Sequence, residues 1–344
     1  MKHKGVVYDV GLRFVEGGAL SVEPFDSKLV QYDVNAIAND LSANAIRIEG
    51  EDIDRLFEAS HYAHASGLTV YFNPWKMSVP VEELPEYFKI AAKKAEKLRQ
   101  DGLDIVFVCG CEITLFNKGI FPGNSLMDRI MWLAGVYQSP DSNEIFSEKS
   151  KLLKEILCKI THAVRSEFLG AVTYSSGSWE EVDWTQFDIV GVDYYRNGET
   201  AEEYTAGLEK YKLGKPLIVM EVGSCTYDGA AKMGAGGFML LEGVNSDGTA
   251  RFIDDKVPVR SEKEQADYVS EQLQLLEKNE VDGVFIYVFS FPIYTFGEGT
   301  RDLDMMSFSL VKTYPDSDPR SKRLPPWDKK ESFNRVKDFL IHIN

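Results

Sequence analysis

The stretch that decides the fold is I-V-F-V-C-G-C-E-I-T, residues 105–114. It is apolar and rich in β-branched residues, and its first charged side chain is Glu112. Such a run is typical of a strand buried on both faces, as in a parallel sheet covered by helices. Because an unpaired carboxylate is costly inside a strand, we expect Glu112 where the strand emerges, at its C-terminal end. Parallel α/β sheets and barrels place their chemistry at that end.

A second stretch, P-L-I-V-M-E-V-G at residues 216–223, repeats the pattern. Its apolar run leads to Glu221 in the same way that the first run leads to Glu112. Two buried strands therefore each deliver one glutamate to the same rim of the predicted sheet.

Strand patterns and helix patterns alternate along the whole chain, with no internal linker. The strand patterns cover residues 5–11, 44–50, 68–75, 105–114, 170–177, 187–195, 216–223 and 281–292. The helix patterns cover residues 28–43, 53–66, 82–100, 149–168, 201–213, 261–279 and 330–343. Strict alternation predicts a parallel sheet, and eight repeats favour its closure into an α/β (β/α)₈ barrel, the TIM barrel.

We therefore predict one barrel domain over residues 1–344, with long loops after strand four (115–148) and strand seven (224–259). The second loop is glycine-rich, and we interpret it as a lid over a small-substrate pocket. An open doubly wound sheet would need a glycine-rich phosphate-binding turn after the first strand. The segment V-G-L-R-F-V-E-G-G is no such fingerprint.

Composition excludes several classes of partner. The 54 acidic and 38 basic residues give a net charge of −16, which disfavours nucleic acid and anionic membrane surfaces. No apolar stretch approaches a membrane-spanning length, and the first ten residues lack the apolar segment of a signal peptide. We therefore expect a cytoplasmic protein whose partner is an uncharged small molecule.

The cysteines and histidines do not form a metal-binding pattern. Four cysteines fit a reduced protein without disulfides. Cys109 and Cys111 lie two apart on one predicted strand, so we expect them to share a face as small core residues. None of the five histidines ends a predicted strand, so we expect neither a metal centre nor a cofactor.

Glutamates at the ends of strands four and seven of a barrel form the carboxyl pair that glycosidic bond cleavage requires. One must be protonated to donate to the leaving oxygen, and the other ionised to attack the anomeric carbon or stabilise its charge. A separation of about 5–5.5 Å between the two carboxyl groups means retention, and a wider separation means inversion.

This arrangement resembles clan A of the retaining glycoside hydrolases, the four-seven superfamily. Residues 187–195, F-D-I-V-G-V-D-Y-Y, are similar to the clan's strand six, whose last tyrosine bonds the nucleophile. Residues 44–48, N-A-I-R-I, are similar to its strand two, whose arginine supports the nucleophile. Residues 302–311 resemble the segment after its strand eight. More weakly, the chain is similar to bacterial proteins labelled abortive phage infection proteins.

The clan resemblance implies that Glu112 is the acid/base and Glu221 the nucleophile, supported by Arg47 and Tyr195. The chain departs from the clan pattern in two places. Cys111 stands where an asparagine usually binds the sugar 2-hydroxyl, and Asn73 is a candidate substitute. Strand eight lacks the usual tryptophan platform and offers Tyr287, Phe289 and Phe291.

Eight further residues are candidate substrate contacts. Trp75 and Trp179 can stack on sugar faces, although tryptophans also simply pack, and Asp193 can pair with Arg47 or bind a ligand hydroxyl. The candidate substrate-binding residues are Arg47, Asn73, Trp75, Cys111, Trp179, Asp193, Tyr195 and Phe289.

The leading interpretation is a retaining glycoside hydrolase that acts on a small glycoside or an oligosaccharide. Cys111 and the absent platform tryptophan motivate an alternative: a catalytically degenerate barrel that binds a carbohydrate or a protein partner, as in phage defence. A third interpretation is a different acid/base reaction at the same two carboxyl groups.

Overall fold

The computed structural model describes residues 1–342, and eight parallel strands form its centre. The strands are β1 His3–Asp9, β2 Ala45–Gly50, β3 Thr69–Pro74, β4 Ile105–Cys111, β5 Ala171–Ser175, β6 Val190–Asp193, β7 Leu217–Val222 and β8 Gly283–Ile286. Each of the eight lies within its predicted segment or extends one to two residues beyond it. The sheet runs β5–β4–β3–β2–β1–β8–β7–β6.

The barrel closes between β5 and β6, just beyond the end of β5. Ser176 forms a parallel bridge with Val192. The Ser176 N–H donates to the Gly191 carbonyl at 3.1 Å, and the Asp193 N–H donates to the Ser176 carbonyl at 2.8 Å. The strands thus follow each other around the ring in chain order, which confirms the predicted (β/α)₈ barrel.

Helices cover the outside of the barrel. They are α1 Ser27–Asn35, α2 Ile53–Ala65, α3 Leu84–Gln100, α4 Ile113–Phe116, α5 Leu126–Tyr137, α6 Ser142–Arg165, α7 Ala201–Leu208, α8 Glu262–Lys278 and α9 Glu331–His342. The first predicted helix is shorter than expected, because α1 gives way to a π-helical turn at Ala36–Asp40. The predicted end of the last helix at residue 343 lies outside the described residues.

The segment predicted as a loop at 115–148 is largely helical, so that prediction is wrong. Ser125 caps α5 and forms a reciprocal capping box with Asp128. The buried Arg129 side chain fastens α5 to α4, donating from Nε to the Leu115 carbonyl at 2.6 Å. The segment therefore belongs to the helical layer and covers one side of the barrel mouth.

The second predicted loop, 224–259, is also more ordered than expected. It contains 3₁₀ turns at Ala230–Lys232 and Gly234–Leu240 and an antiparallel hairpin of Leu241–Val244 with Ala250–Phe252. Cys225, Tyr227 and Phe252 pack there into a small core with residues 303–306. Among residues 1–342, no helix is both long enough and apolar enough to cross a bilayer.

The strand alternation decides which side chains enter the barrel. Ala45 and Tyr71 belong to the inner apolar cluster, so Arg47, Glu49 and Asn73 also point inward from β2 and β3. Glu49 stands in register with Asp9 on β1 and with Asn73 on β3. A polar layer thus lies above the apolar interior, at the C-terminal end of the strands.

Cys109 and Cys111 do not share a face, contrary to the prediction. The pairing of β4 with β5 shifts register between Val108 and Cys111, and Gly110 between them has φ +110°. This bulge leaves Cys109 in the outer core and turns Cys111 into the barrel beside Trp75. The shift brings the Cys111 thiol into the polar layer.

Candidate active site

Glu221, on β7, is held by two donors at the centre of the polar layer. Its Oε1 accepts from Arg47 Nη1 at 3.0 Å, and its Oε2 accepts from Tyr195 Oη at 2.8 Å. The residue is 7% exposed. Two donors on different oxygens fix the orientation of the carboxylate.

Arg47 joins three carboxylates. Besides Glu221, its guanidinium lies 3.5 Å from Glu49 Oε2 and 3.8 Å from Asp193 Oδ1. Nη1 also donates to the Met220 carbonyl at 3.0 Å, and the side chain is fully buried. A buried cation among acidic groups compensates the cost of burying their charge.

Glu112 directly follows β4, in an unusual backbone conformation. Its φ of 41° and ψ of 48° lie in the left-handed region, which non-glycine residues seldom occupy. The side chain is half-buried. Burial, followed by the negative charges of Asp193 and Glu221, raises the pKa of Glu112 well above its usual range. The site therefore favours the protonated form that a general acid needs.

Asp193 and Cys111 lie beside Glu221. Ser175 Oγ donates to Asp193 Oδ1 at 2.6 Å. The Cys111 thiol lies 3.6 Å from both Asp193 Oδ2 and Glu221 Oε1. Asp193 thus has the structural pairing role with Arg47 that the sequence analysis proposed, and it also accepts from Ser175.

Two residues that the sequence analysis missed, Tyr174 and Glu180, hold the turn that carries Glu112. The Ile113 N–H donates to Tyr174 Oη at 2.8 Å, and Tyr174 Oη donates to Glu180 at 3.0 Å. Thr114 Oγ1 donates to Glu180 Oε1 at 2.7 Å. No motif marks these residues, because their contacts form only when β4 and β5 lie side by side.

Trp179 takes part in this support. Its indole N–H donates to Thr114 Oγ1 at 2.9 Å, and its ring covers Gly177 so closely that a Cβ there would lie 2.5 Å from it. The half-buried ring packs against the main core.

Several buried polar atoms of the inner layer have no hydrogen-bond partner within the described protein. They are both Glu49 oxygens, both Asn73 amide atoms, Trp75 Nε1, and Nε and Nη2 of Arg47. Buried polar groups are nearly always paired in folded proteins. Glu49 and Arg47 still form an ion pair at 3.5 Å, whereas the Asn73 amide and the Trp75 indole N–H are free to bind the hydroxyl groups of a ligand. Glu49 could have been found from the sequence, because it stands two residues after Arg47 on the same strand.

Phe289 is not at the mouth, so its assignment as a substrate contact is wrong. Its side chain is fully buried on the outside of the barrel and contacts the rings of Tyr8, Trp327 and Phe333. β8 ends at Ile286, and the next inward side chains are those of Tyr287 and Val288. The chain beyond β8 therefore departs from the strict alternation on which the assignment depended.

A metal could approach one cluster in this layer. The ligand atoms of Cys111, Asp193 and Glu221 lie within 4.8 Å of one another. Arg47, however, already contacts the carboxylates of both Asp193 and Glu221, and a cation would compete with its charge. Burial also raises the pKa of the Cys111 thiol, whereas metal binding requires the thiolate. The arrangement fits hydrogen bonding better than metal binding.

Two surface grooves lie outside the carboxylate cluster. The larger, about 550 Å³, lies between α8 and the segment after β6. The smaller, about 310 Å³, lies on the same rim as the site and is lined by Arg13, Leu20, Glu51, Asp52, Lys76 and Tyr87. Neither is lined by Glu112 or Glu221.

Comparisons with known proteins give structural matches alone. No protein-family model and no curated protein sequence matches the chain. A solved GH113 β-1,4-mannanase has a TM-score of 0.59 at 16% identity, over 99% of this chain and 100% of that one. A GH113 β-mannanase from Alicyclobacillus acidocaldarius has a TM-score of 0.54 at 14% identity, over 100% and 99% of the two chains.

A third structure, GH5_18 from Streptomyces cattleya in complex with GlcNAc, has a TM-score of 0.54 at 13% identity, over 100% of this chain and 82% of that one. At such identities the likeness shows a shared fold. It extends over essentially the whole chain, and it agrees with the barrel that the sequence resemblance implies.

Proposed function

We propose that this protein is a retaining glycoside hydrolase that acts on a small glycoside or an oligosaccharide, with Glu221 as the nucleophile and Glu112 as the acid/base. The observation that carries the proposal is the contrast between the two carboxyl groups. Arg47 and Tyr195 both donate to Glu221, whereas burial and neighbouring charges raise the pKa of Glu112. A carboxyl group that keeps its proton suits the acid, and a carboxylate held by two donors suits the nucleophile.

In the first step, a Glu221 oxygen attacks the anomeric carbon while Glu112 gives its proton to the departing glycosidic oxygen. In the second step, Glu112, now ionised, takes a proton from water, and the water oxygen displaces Glu221 from the sugar. Arg47 donates to one Glu221 oxygen and Tyr195 to the other. These two hydrogen bonds orient the carboxylate for attack. The two steps together return both residues to their starting protonation states.

The unpartnered groups of the inner layer are the proposed contacts for sugar hydroxyls. Asn73 offers an amide donor and acceptor, Trp75 an indole N–H, and Glu49 two carboxyl oxygens. Cys111 lies next to the nucleophile at the position of the clan's asparagine. We assign the contact with the sugar 2-hydroxyl to Asn73, because a thiol is a weak donor.

The free cysteines and the net charge of the protein also fit this proposal. Its four cysteines are all free, as expected in the reducing cytoplasm. The net charge of −16 favours a neutral sugar over nucleic acid or an anionic membrane as the partner.

The experiment that tests the proposal is Glu221→Gln. We expect turnover of the best 2,4-dinitrophenyl glycoside in a broad screen to be abolished, while the melting temperature stays close to that of the wild type. Glu277→Gln, on the exposed end of α8, is the matched control and should keep full activity. A 2-fluoro glycoside should label Glu221 of the wild-type protein covalently, as detected by peptide mass spectrometry. Full activity of Glu221→Gln would end the proposal.

The second candidate function is a barrel that binds a carbohydrate or a protein without turning it over. The thiol of Cys111, 3.6 Å from Glu221 Oε1 where the clan has an amide, is the observation that favours it. Calorimetric binding of a sugar that the wild-type protein never hydrolyses would support this alternative. Turnover that is lost in Glu221→Gln would remove it.

A further inference from the structure

The turn that carries Glu112 needs external support. Glu112 is a non-glycine residue in the left-handed region, and such conformations persist only where surrounding contacts enforce them. The Glu112 N–H donates to the Ser175 carbonyl at 2.9 Å, which fixes the entry to the turn. The exit is fixed by side chains from the segment after β5.

The Glu180 carboxylate accepts the hydrogen bonds that fix the end of this turn. Its Oε1 accepts from the Thr114 N–H at 3.2 Å and from Thr114 Oγ1 at 2.7 Å. Its Oε2 accepts from the Gly177 N–H at 3.0 Å and from Tyr174 Oη at 3.0 Å. The Glu180 side chain is buried. It therefore ties the turn after β4 to the turn after β5 through four donor groups.

We propose that Glu180 is a positioning residue for proton transfer: through Thr114 and Tyr174 it fixes the turn that aims the Glu112 carboxyl. The charge of Glu180 also acts on Glu112. This inference rests on the proposed role of Glu112 as the acid/base. Glu180 does not itself touch the reacting atoms.

The charge effect follows from the groups that face Glu112. They are Asp193 on β6, Glu221 on β7, Glu180 after β5, Arg47 on β2, the adjacent Cys111 and Tyr137 on α5. The Glu180 charge raises the pKa of Glu112, and the Arg47 charge lowers it. Burial raises the pKa of Glu180 itself to about 7, so the charge is present above neutral pH. There it delays the ionisation of Glu112 as the pH rises.

Leaving-group dependence tests the inference, because acid assistance matters for a poor leaving group and little for a good one. The probes are the 2,4-dinitrophenyl and phenyl glycosides of the sugar preferred in the screen. In Glu180→Gln we expect kcat/KM to fall at least tenfold for the phenyl glycoside and less than threefold for the dinitrophenyl glycoside. An equal fall for both probes would mean a general structural role and would overturn the proposal.

Two variants separate the charge effect from the hydrogen bonds. Glu180→Gln removes the charge, so the alkaline limb of its kcat/KM profile should move to lower pH. Tyr174→Phe keeps the Glu180 side chain and removes one hydroxyl that stabilises its charge, so it should show the leaving-group effect with a smaller movement of the limb. Glu96→Gln is the matched control, because Glu96 on α3 is also buried and also accepts from a backbone N–H, that of Leu169. It should leave the ratio of the two activities unchanged.

A readout that needs no substrate completes the test. Amide exchange at Ile113 and Thr114, followed by NMR, should be at least tenfold faster in Glu180→Gln than in the wild type. If Glu180→Gln does not fold, Tyr174→Phe should speed exchange at Ile113 instead. Unchanged exchange overturns the inference. If Glu112→Gln itself lowered kcat/KM equally for the phenyl and the dinitrophenyl glycoside, that result would instead count against the proposed function.

Discussion

Arg47 is a fully buried guanidinium whose neighbours are acidic. It contacts Glu49, Asp193 and Glu221, so its removal would leave buried carboxylates without a compensating charge. The cost of breaking such a group is about 3–5 kcal/mol. Arg47 therefore contributes to the stability of the fold as well as to the proposed chemistry.

We therefore predict that Arg47→Met lowers the free energy of unfolding at pH 7 by about 3–5 kcal/mol, as measured by urea denaturation. The Arg47 charge lowers the pKa values of the buried Glu49 and Asp193. Without it those pKa values rise, so the loss should be largest at high pH and should shrink as the pH falls and the two carboxylates are protonated. The double variant Arg47→Met/Glu49→Gln should recover part of the loss. An equal loss at pH 5 and pH 8 would contradict this explanation.

A second prediction at the residue scale concerns Glu112. Because its pKa is raised, the protonated form persists above the usual carboxyl range, and activity should fall only when the pH rises through the shifted value. The alkaline limb of kcat/KM for a phenyl glycoside should therefore lie well above pH 4.5. In Glu112→Gln that limb should disappear, and with it most of the phenyl glycoside activity. A limb that survives the substitution belongs to another group.

The same scale shows what the sequence can reveal about single residues. Glu112 and Glu221 were identifiable because each is the first charge after a long apolar strand. Glu180 was not, since its donors come from a neighbouring strand and a neighbouring turn. Phe289 was misassigned because periodicity was extended beyond Ile286, where β8 ends.

At the scale of elements, the segment after β4 shows how a helix can be missed. Gly119, Pro122 and Gly123 indicate a loop, and they hide the capping box that begins two residues later. What fixes α5 in place is the side chain of Arg129, which donates to the carbonyls of Leu115, Phe116 and Gly123. No local sequence pattern predicts hydrogen bonds from a side chain of one helix to the backbone carbonyls of a preceding segment.

We predict that Arg129→Met destabilises the protein by about 2–4 kcal/mol, because it leaves three carbonyl groups without their donor. Urea denaturation should show the loss. Hydrogen exchange should show faster opening confined mainly to residues 115–137. Arg129→Lys, which keeps one donor group, should lose less than Arg129→Met. Uniform acceleration over the whole barrel would show that α5 has no separate role.

At the scale of the whole molecule, the order of strands and helices was predictable because each barrel strand is buried on both faces and bounded by polar turns. The β4 bulge at Gly110 was not, because it depends on pairing with β5. Nor was the attachment of the C-terminal segment to α1. There Asp33 accepts from Tyr8 Oη at 2.9 Å and from the Trp327 indole N–H at 2.8 Å.

That attachment gives a pH-dependent stability. Burial raises the pKa of Asp33 to about 7, so ionised Asp33 is disfavoured in the folded state. The resulting penalty is absent well below pH 4 and complete above pH 7, and it amounts to at most about 4 kcal/mol. Asp33→Asn should remove it, so the melting temperature of the variant relative to the wild type should be higher at pH 8 than at pH 5. A difference that does not depend on pH would contradict the assignment.

The junction between β5 and β6 has a last consequence for the whole ring. It is joined mainly beyond the end of β5, through Ser176, directly beside Asp193 and the turn that Glu180 supports. Local separation of β5 from β6 at this junction would therefore admit solvent first to the polar layer and only later to the apolar interior. Ligand entry and the earliest partial unfolding would then both use the junction between β5 and β6. A tightly bound sugar would keep that junction closed and so slow the unfolding.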